Sequence, residues 1–128
     1  MKVWKDSVSI AVKIYKLCTQ RQLSSDFGAK DQLRRAAVSI SNNIAEGFEY
    51  NNNKEFVKYL RYSKGSAGEL RSNLYILREA EVIGSADYEG LKIELMNISR
   101  EIEGFIKYLK TFERNKEQKS ERSNSRTR

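Results

Sequence analysis

The sequence predicts an all-α fold, an antiparallel up-down-up-down four-helix bundle, from three observations. Apolar residues recur at intervals of three and four in four separate segments, the spacing that places them on one face of a helix. Short connections join the segments, so consecutive helices are expected to lie antiparallel. Proline, which helix interiors tolerate least, is absent from all 128 residues. One bundle domain is therefore expected over residues 1–114, followed by a basic tail over residues 115–128.

The first helix is expected from about Val3 to Cys18. Its predicted buried face consists of Val8, Ala11, Val12, Tyr15 and Cys18. A turn should follow at a polar cluster able to cap the next helix, namely Ser24, Ser25, Asp26 and Gly28. The second helix is expected from about Phe27 to Phe48. Gly47 lies near its end, where the missing side chain would let another backbone approach.

An asparagine of the run 51–53 is expected to cap the third helix. Its apolar stripe comprises Phe56, Tyr59, Leu60, Ser63, Ala67, Leu70, Leu74 and Leu77. Gly65 and Gly68 each cost about 1 kcal/mol relative to alanine, which predicts a closely packed neighbour at both positions. Gly84 is expected to end this helix, and Ser85 or Asp87 to cap the next.

The fourth helix is predicted from a long regular stripe of Leu91, Leu95, Ile98, Ile102, Phe105, Ile106, Leu109 and Phe112. Apolar residues cease beyond Arg114. The tail, residues 115–128, is rich in Lys, Arg, Glu, Ser and Asn, and is predicted to be disordered or at most a frayed helical extension.

The charge pattern favours polyanionic partners. The net charge is +7, and five basic against two acidic side chains in residues 115–128 leave +4 for the first 114 residues. Such an excess attracts RNA or DNA, although it also serves solubility alone.

The residues that are missing exclude several chemistries. Histidine is absent and Cys18 is the single cysteine, which excludes the common zinc sites and the Ser–His and Cys–His nucleophile pairs. No tight Asp-x-Asp cluster occurs. We therefore expect no catalytic residue, no metal and no cofactor, and the protein is not expected to be an enzyme. Without an 18-residue apolar run or a secretory segment, it is expected to be cytoplasmic and not to span a membrane.

The most informative stretch is Gln32 to Gly47, which forms two stripes on a helix. One is apolar or small: Leu33, Ala36, Ala37, Ile40, Ile44 and Gly47. The other, which we call the polar row, consists of Gln32, Arg35, Ser39, Asn43 and Glu46 on the second helix, with Ser66 and Glu69 on the third.

The polar row needs hydrogen-bonding partners across a helix or subunit boundary. If the chain reverses near Asn51, Arg35 lies level with residues 67–69, which predicts an Arg35–Glu69 ion pair with Ser66 as a further partner. The row is interpreted either as structural and assembly contacts or as a ligand or nucleic-acid contact.

Basic residues follow the outer side of the third helix in two rows. The first row is Lys54, Lys58 and Arg61, and the second is Lys64, Arg71 and Arg78. Tyr59 and Tyr62 are interleaved with them. Lysines and arginines neutralise phosphates and aromatic rings stack on unpaired bases, so these six basic residues are the candidate nucleic-acid site. The alternative is an ordinary solvated face.

These residues also carry a family resemblance. The run from Gln32 resembles the signature Q-L-x-R-A-A-x-S-I-x-x-N-I-A-E-G of the small four-helix-bundle proteins encoded in intervening sequences of bacterial 23S ribosomal RNA. That family includes the accessory variability proteins of diversity-generating retroelements. Downstream, Glu55, Phe56, Gly65, Ser66, Glu69 and Leu70 match its aromatic helix with G-S-x-x-E-L. One departure is the first interhelical loop, Gln20 to Gly28, which lacks the proline often found there.

The resemblance covers roughly residues 3–112 and implies a ring-like homopentamer. It leaves two functional hypotheses. One is a non-enzymatic, oligomeric accessory protein that binds RNA or DNA, with a reverse transcriptase as a further partner if the gene neighbours one. The other is a structural homo-oligomeric scaffold that binds proteins and contacts nucleic acid only incidentally. The sequence does not contain the genomic context that would separate these cases.

Overall fold

The fold is described from a computed structural model that covers the backbone of residues 1–126 and the side chains of residues 1–122. Its helices are α1 (Lys2–Leu17), α2 (Phe27–Glu49), α3 (Asn53–Glu79) and α4 (Ser85–Arg126), with a short 3₁₀ helix at Arg21–Ser25. α1 and α3 each pack against both α2 and α4, so the helices form an antiparallel four-helix bundle. The predicted all-α fold class is confirmed.

Two predicted helix starts are formed by side-chain caps. The Asp26 carboxylate accepts a hydrogen bond from the Ala29 amide at 3.1 Å and caps α2. Asn52 caps α3 in the same way, because its side-chain oxygen accepts from the Glu55 amide at 3.1 Å. Between these helices Asn51 adopts a left-handed backbone with a φ of 50°. Asparagine tolerates this conformation better than most residues, so the reversal after α2 is encoded locally.

The predicted end of α3 at Gly84 is wrong. α3 ends at Glu79, and Glu81, rather than a glycine, takes the left-handed conformation with a φ of 60°. The Val82 amide donates to the Leu77 carbonyl at 2.8 Å and the Glu81 amide donates to Arg78 at 3.0 Å. This is the hydrogen-bond pattern of a Schellman cap, which stops the helix without glycine.

The predicted buried face of α1 is partly wrong. Val12 and Tyr15 are 47% and 49% exposed and Val8 is only half-buried. The buried residues are instead Val3, Ser7, Ile10, Ala11, Ile14 and Leu17, followed by Cys18. α1 carries two adjacent apolar stripes, so periodicity alone does not decide which faces the core. Packing between α2 and α4 selects the stripe through Ile10 and Ile14.

Small residues and hydroxyl groups let α2 and α3 pack closely. A Cβ atom added to Gly47 would lie 2.7 Å from Cβ of Tyr59 and 3.1 Å from the Phe56 ring, so the predicted close approach occurs. At the buried Ser63 the hydroxyl donates to the Ile40 carbonyl across the same interface at 2.7 Å. Gly65 and Gly68 do not show the predicted packing, since no atom would come within 4 Å of an added Cβ. Both lie away from the core stripe of α3.

α4 continues through the first part of the predicted tail to Arg126, the last residue whose backbone is described. The side chains of residues 114–122 are exposed. Residues 127–128 of the expected tail lie outside the described residues. Phe112, predicted in the core stripe, is half exposed. Within residues 1–126 no helix has an apolar stretch long enough to cross a membrane.

Gly47 and Gly65 provide a paired test of this packing. Gly47→Ala should lower the free energy of unfolding by about 1–3 kcal/mol, because overpacking against the α3 backbone outweighs the better helix propensity of alanine. Gly65→Ala should raise it by about 0.4–1 kcal/mol, because open space surrounds the new methyl group. Urea unfolding followed by circular dichroism measures both. Equal effects of the two substitutions would contradict the close approach.

Candidate nucleic-acid interface

Only the central residues of the polar row, Ser39, Asn43 and Ser66, form hydrogen bonds with one another. The Ser39 and Ser66 hydroxyls share a hydrogen bond of 2.9 Å between α2 and α3. The Asn43 amide donates to the Ser39 hydroxyl at 2.9 Å and to the Ser39 carbonyl at 2.8 Å. We call these three residues the polar clasp. Because its members satisfy one another at the helix–helix interface, the clasp has the geometry of a structural contact.

The outer residues of the polar row do not join the clasp. Arg35 donates to the Asp31 carboxylate at 2.8 Å, one turn earlier on α2, and its side chain is 80% exposed. The predicted Arg35–Glu69 ion pair is therefore wrong. The Arg35 side chain projects into solvent, where it meets Asp31 on the same helix instead of Glu69 on α3. Gln32, Glu46 and Glu69 are also exposed.

The two predicted basic rows lie on different surfaces. Lys54, Lys58 and Arg61 are exposed on the outer face of α3, where Lys58 lies 3.9 Å from the Glu55 carboxylate. The second row faces α4. Lys64 forms a 2.9 Å ion pair with Glu103, and Arg78 pairs with Glu79 and lies over the Tyr88 ring at 5.2 Å. Arg71, between them, is half-buried.

Two lysines of α4 extend this second surface, and the sequence pattern of α3 did not predict them. The Lys64 ammonium, hydrogen-bonded to the carboxylate, holds the pKa of Glu103 below its usual value, and the charges of Lys107 and Lys110 lower it further. Lys64 of α3 and Lys107 and Lys110 of α4 thus all act on Glu103 beside the line between α3 and α4. We call these four residues the basic seam. In the sequence, the basic seam is indicated by the spacing of residues 103, 107 and 110, which places all three on one side of α4.

The opposite side of α4 is balanced in charge. There Glu94 pairs with Lys13 and Glu101 pairs with Lys2, both across the α1–α4 line. The hydrogen bonds of Lys2 with Asp6 and Glu101 raise the pKa of its ammonium. These ion pairs neutralise the α1–α4 line, whereas Glu103 on the α3–α4 side faces three lysines, a local excess of positive charge that would attract a polyanion.

Aromatic side chains border the outer basic face. Tyr50, just after α2, stacks on Tyr59 with ring centroids 5.3 Å apart and planes 15° apart. Tyr62 meets Tyr59 edge-on at 5.6 Å. The hydroxyls of Tyr50 and Tyr59 share a 3.3 Å hydrogen bond, which raises the pKa of Tyr59 above its ordinary value. We call these three residues the tyrosine cluster.

The described residues contain no arrangement typical of metal chemistry. Across residues 1–126, no three Cys, Asp or Glu side chains converge on a point that could hold a metal ion. Cys18 is buried, and burial raises the pKa of its thiol, which disfavours the reactive thiolate.

Comparison with known proteins identifies the family. Residues 1–104 match the family described as 23S rRNA-intervening sequence protein. The chain belongs to this family. It is also similar to a crystal structure from Bacteroides thetaiotaomicron VPI-5482, described as a protein with unknown function from the S23 ribosomal protein family. The TM-score is 0.75 at 27% sequence identity, covering 82% of this chain and 98% of that one. Comparison with curated proteins gives no significant match.

The family signature now has a structural explanation. Three residues of the signature contribute to the packing of α2 on α3. Gly47 does so because it has no side chain, and Ser39 and Asn43 do so through the polar clasp. Ser66 supplies the partner hydroxyl from α3. The signature residues that contact one another in this chain therefore maintain the α2–α3 interface.

A double-mutant cycle tests the clasp. Ser39→Ala and Ser66→Ala should each destabilise the bundle, with a coupling energy of about 0.5–1 kcal/mol because they share one hydrogen bond. Arg35→Ala is the control from the exposed end of the row, and should cost less than about 0.5 kcal/mol. Denaturant unfolding of the wild type, the two single variants, the double variant and the control gives these values. Strict additivity of the serine substitutions would remove the clasp as a stabilising contact.

Proposed function

We propose that this 23S rRNA-intervening sequence protein is a non-enzymatic accessory protein that binds RNA or DNA on its α3–α4 side. The observation that carries the proposal is the basic seam, where Lys64 forms a 2.9 Å ion pair with Glu103 and the charges of Lys107 and Lys110 act on the same carboxylate. The outer row of Lys54, Lys58 and Arg61 continues this surface around α3.

The mechanism is neutralisation of phosphates by flexible ammonium groups. Lysines act as point charges and release counterions from the nucleic acid, which makes binding strongly dependent on salt. Phosphate contacts carry little sequence information, so weak sequence preference is expected. The exposed extension of α4 adds Lys116, Lys119 and Arg122 against Glu117 and Glu121. It would lengthen the contact beyond the bundle.

We further propose that the protein is a homo-oligomer. The family resemblance implies that this oligomer is a pentamer. The outer side of α1 supports this, because Trp4, Val12 and Tyr15 are exposed and form, with the half-buried Val8, an apolar strip beside a groove lined by Ala11 and Ser41. Contiguous apolar strips of this kind mark interaction surfaces. In a ring, several weak basic surfaces would engage one nucleic acid and strengthen binding through avidity.

The same strip favours the second candidate, a homo-oligomeric scaffold that binds proteins and contacts nucleic acid incidentally. We propose a reverse transcriptase as a further partner if its gene lies beside the gene of this protein. The genomic neighbourhood therefore tests whether such a partner exists.

Charge substitutions test the nucleic-acid proposal. Lys107→Gln combined with Lys110→Gln should weaken binding to RNA and DNA, and the slope of log affinity against log salt should fall by roughly one for each phosphate that is no longer neutralised. Glu103→Gln should strengthen binding, since it removes the carboxylate on which the three lysines act. Fluorescence anisotropy over a salt series measures both.

The matched control is Lys5→Gln combined with Lys13→Gln, which changes the net charge equally but on α1. It should weaken binding less than the seam variant. Deleting residues 115–128 should weaken binding further and, because that segment makes no buried contact over residues 115–122, leave the bundle folded. If the intact protein binds neither RNA nor DNA at low salt, the scaffold candidate is favoured.

Light scattering tests the oligomer. The wild-type protein should have a mass near five times the 14.9 kDa chain at micromolar concentration. Val12→Glu should lower the mass, because it places a charge in the exposed strip of α1. Ile93→Glu, at an exposed apolar position on α4, is the control and should not change it. A wild-type mass near that of one chain would overturn the proposal.

A further inference from the structure

We infer that the tyrosine cluster is a stacking platform for unpaired nucleobases, and that the nucleic acid bound by this protein is single-stranded where it crosses the end of α2. The inference rests on the proposed function and narrows its ligand class. It concerns Tyr50, Tyr59 and Tyr62, which the basic seam does not use.

Two rings of the cluster are accessible. Tyr50 and Tyr62 are 52% and 51% exposed, whereas Tyr59 between them is half-buried. Tyr59 stacks on Tyr50 and forms a T-shaped contact with Tyr62, so each exposed ring is held in place by the central one. Every base has a π-face, and stacking on an aromatic side chain therefore accepts any base sequence.

The platform is already assembled in the unbound protein. Gly47 lets α2 approach the Tyr59 Cβ closely, and the left-handed backbone at Asn51 turns the chain directly after Tyr50. The hydrogen bond between the Tyr50 and Tyr59 hydroxyls closes the arrangement. Because the rings are held before a base arrives, less side-chain entropy is lost on binding than if each ring were ordered separately.

Positive charge lies beside the rings. The Lys58 ammonium is 5.7 Å from the centre of the Tyr59 ring and 6.0 Å from that of Tyr62. Lys54 and Arg61 are also exposed on the outer face of α3, where Glu55 pairs with Lys58. Phosphates attracted to these three basic side chains would place the attached bases next to the tyrosine rings.

A duplex cannot use this platform, because its bases are paired and stacked on one another. Only loops, bulges, ends or single strands present a free base face. The combination of rings with adjacent ammonium groups is the one found on surfaces that bind single strands with little sequence preference.

The experiment compares a fluorescently labelled oligothymidylate with a duplex at the same salt concentration. Tyr62→Leu should weaken binding of the single strand by roughly 5- to 150-fold, corresponding to about 1–3 kcal/mol for one stacked base. Binding of the duplex should not change. Tyr62→Phe, which keeps the ring, should retain single-strand binding. Tyr75→Leu, at another half-exposed tyrosine of α3, is the matched control and should have little effect.

A second readout reports stacking directly. An oligonucleotide containing 2-aminopurine should change its fluorescence on binding the wild-type protein, and this change should be reduced in Tyr62→Leu and in Tyr50→Leu. Circular dichroism verifies that these exposed substitutions leave the helices intact.

The outcomes separate this inference from the proposed function. If the wild-type protein binds neither oligonucleotide, the proposed function fails and the inference fails with it. If binding persists with its salt dependence but Tyr62→Leu behaves like Tyr75→Leu, the inference alone is overturned. Tighter binding to the duplex than to the single strand would also overturn the inference. The inference would likewise be wrong if Tyr62→Leu changed the mass of the oligomer but not its affinity for the single strand.

Discussion

The close approach of α2 to α3 at Gly47 is the constraint on which the rest of the structure depends. A side chain at this position would overlap Cβ of Tyr59, which belongs to the rigid part of α3. With the helices this near, the Ser63 hydroxyl reaches the Ile40 carbonyl and the Ser39 hydroxyl reaches Ser66. Short polar side chains bridge helices only at such separations, so the glycine and the serines act together.

The same approach organises the surface at that end of the bundle. Tyr59 is held against α2, and the turn through Asn51 brings Tyr50 onto it. A feature that stabilises the fold therefore also assembles an exposed aromatic surface. One stretch of α2 thus packs on α3 through one face and positions the tyrosine cluster at its end.

Charge is distributed unequally around α4, although the helix itself has acidic and basic residues on both sides. Towards α1, Glu94 and Glu101 are each paired with a lysine. Towards α3, Glu103 is outnumbered by Lys64, Lys107 and Lys110. These three lysines lie on two helices, so this local excess of positive charge forms only when α3 and α4 are placed side by side. The net charge of +7 alone favours solubility and recognition equally.

The sequence by itself determined the helices, their order and the bundle. Apolar spacing and the caps at Asp26 and Asn52 act within a few residues, and Gly47 in its stripe indicated the tight helix contact. Two local features, the end of α3 at Glu79 before the left-handed Glu81 and the pairing of Arg35 with Asp31 on the same helix, escaped the apolar pattern. Tertiary structure decided the features that depend on which faces meet. It selected the buried stripe of α1 and placed Lys64 of α3 beside Glu103 of α4. Helical periodicity places a residue on a side of its own helix, but only the packed bundle determines what lies opposite.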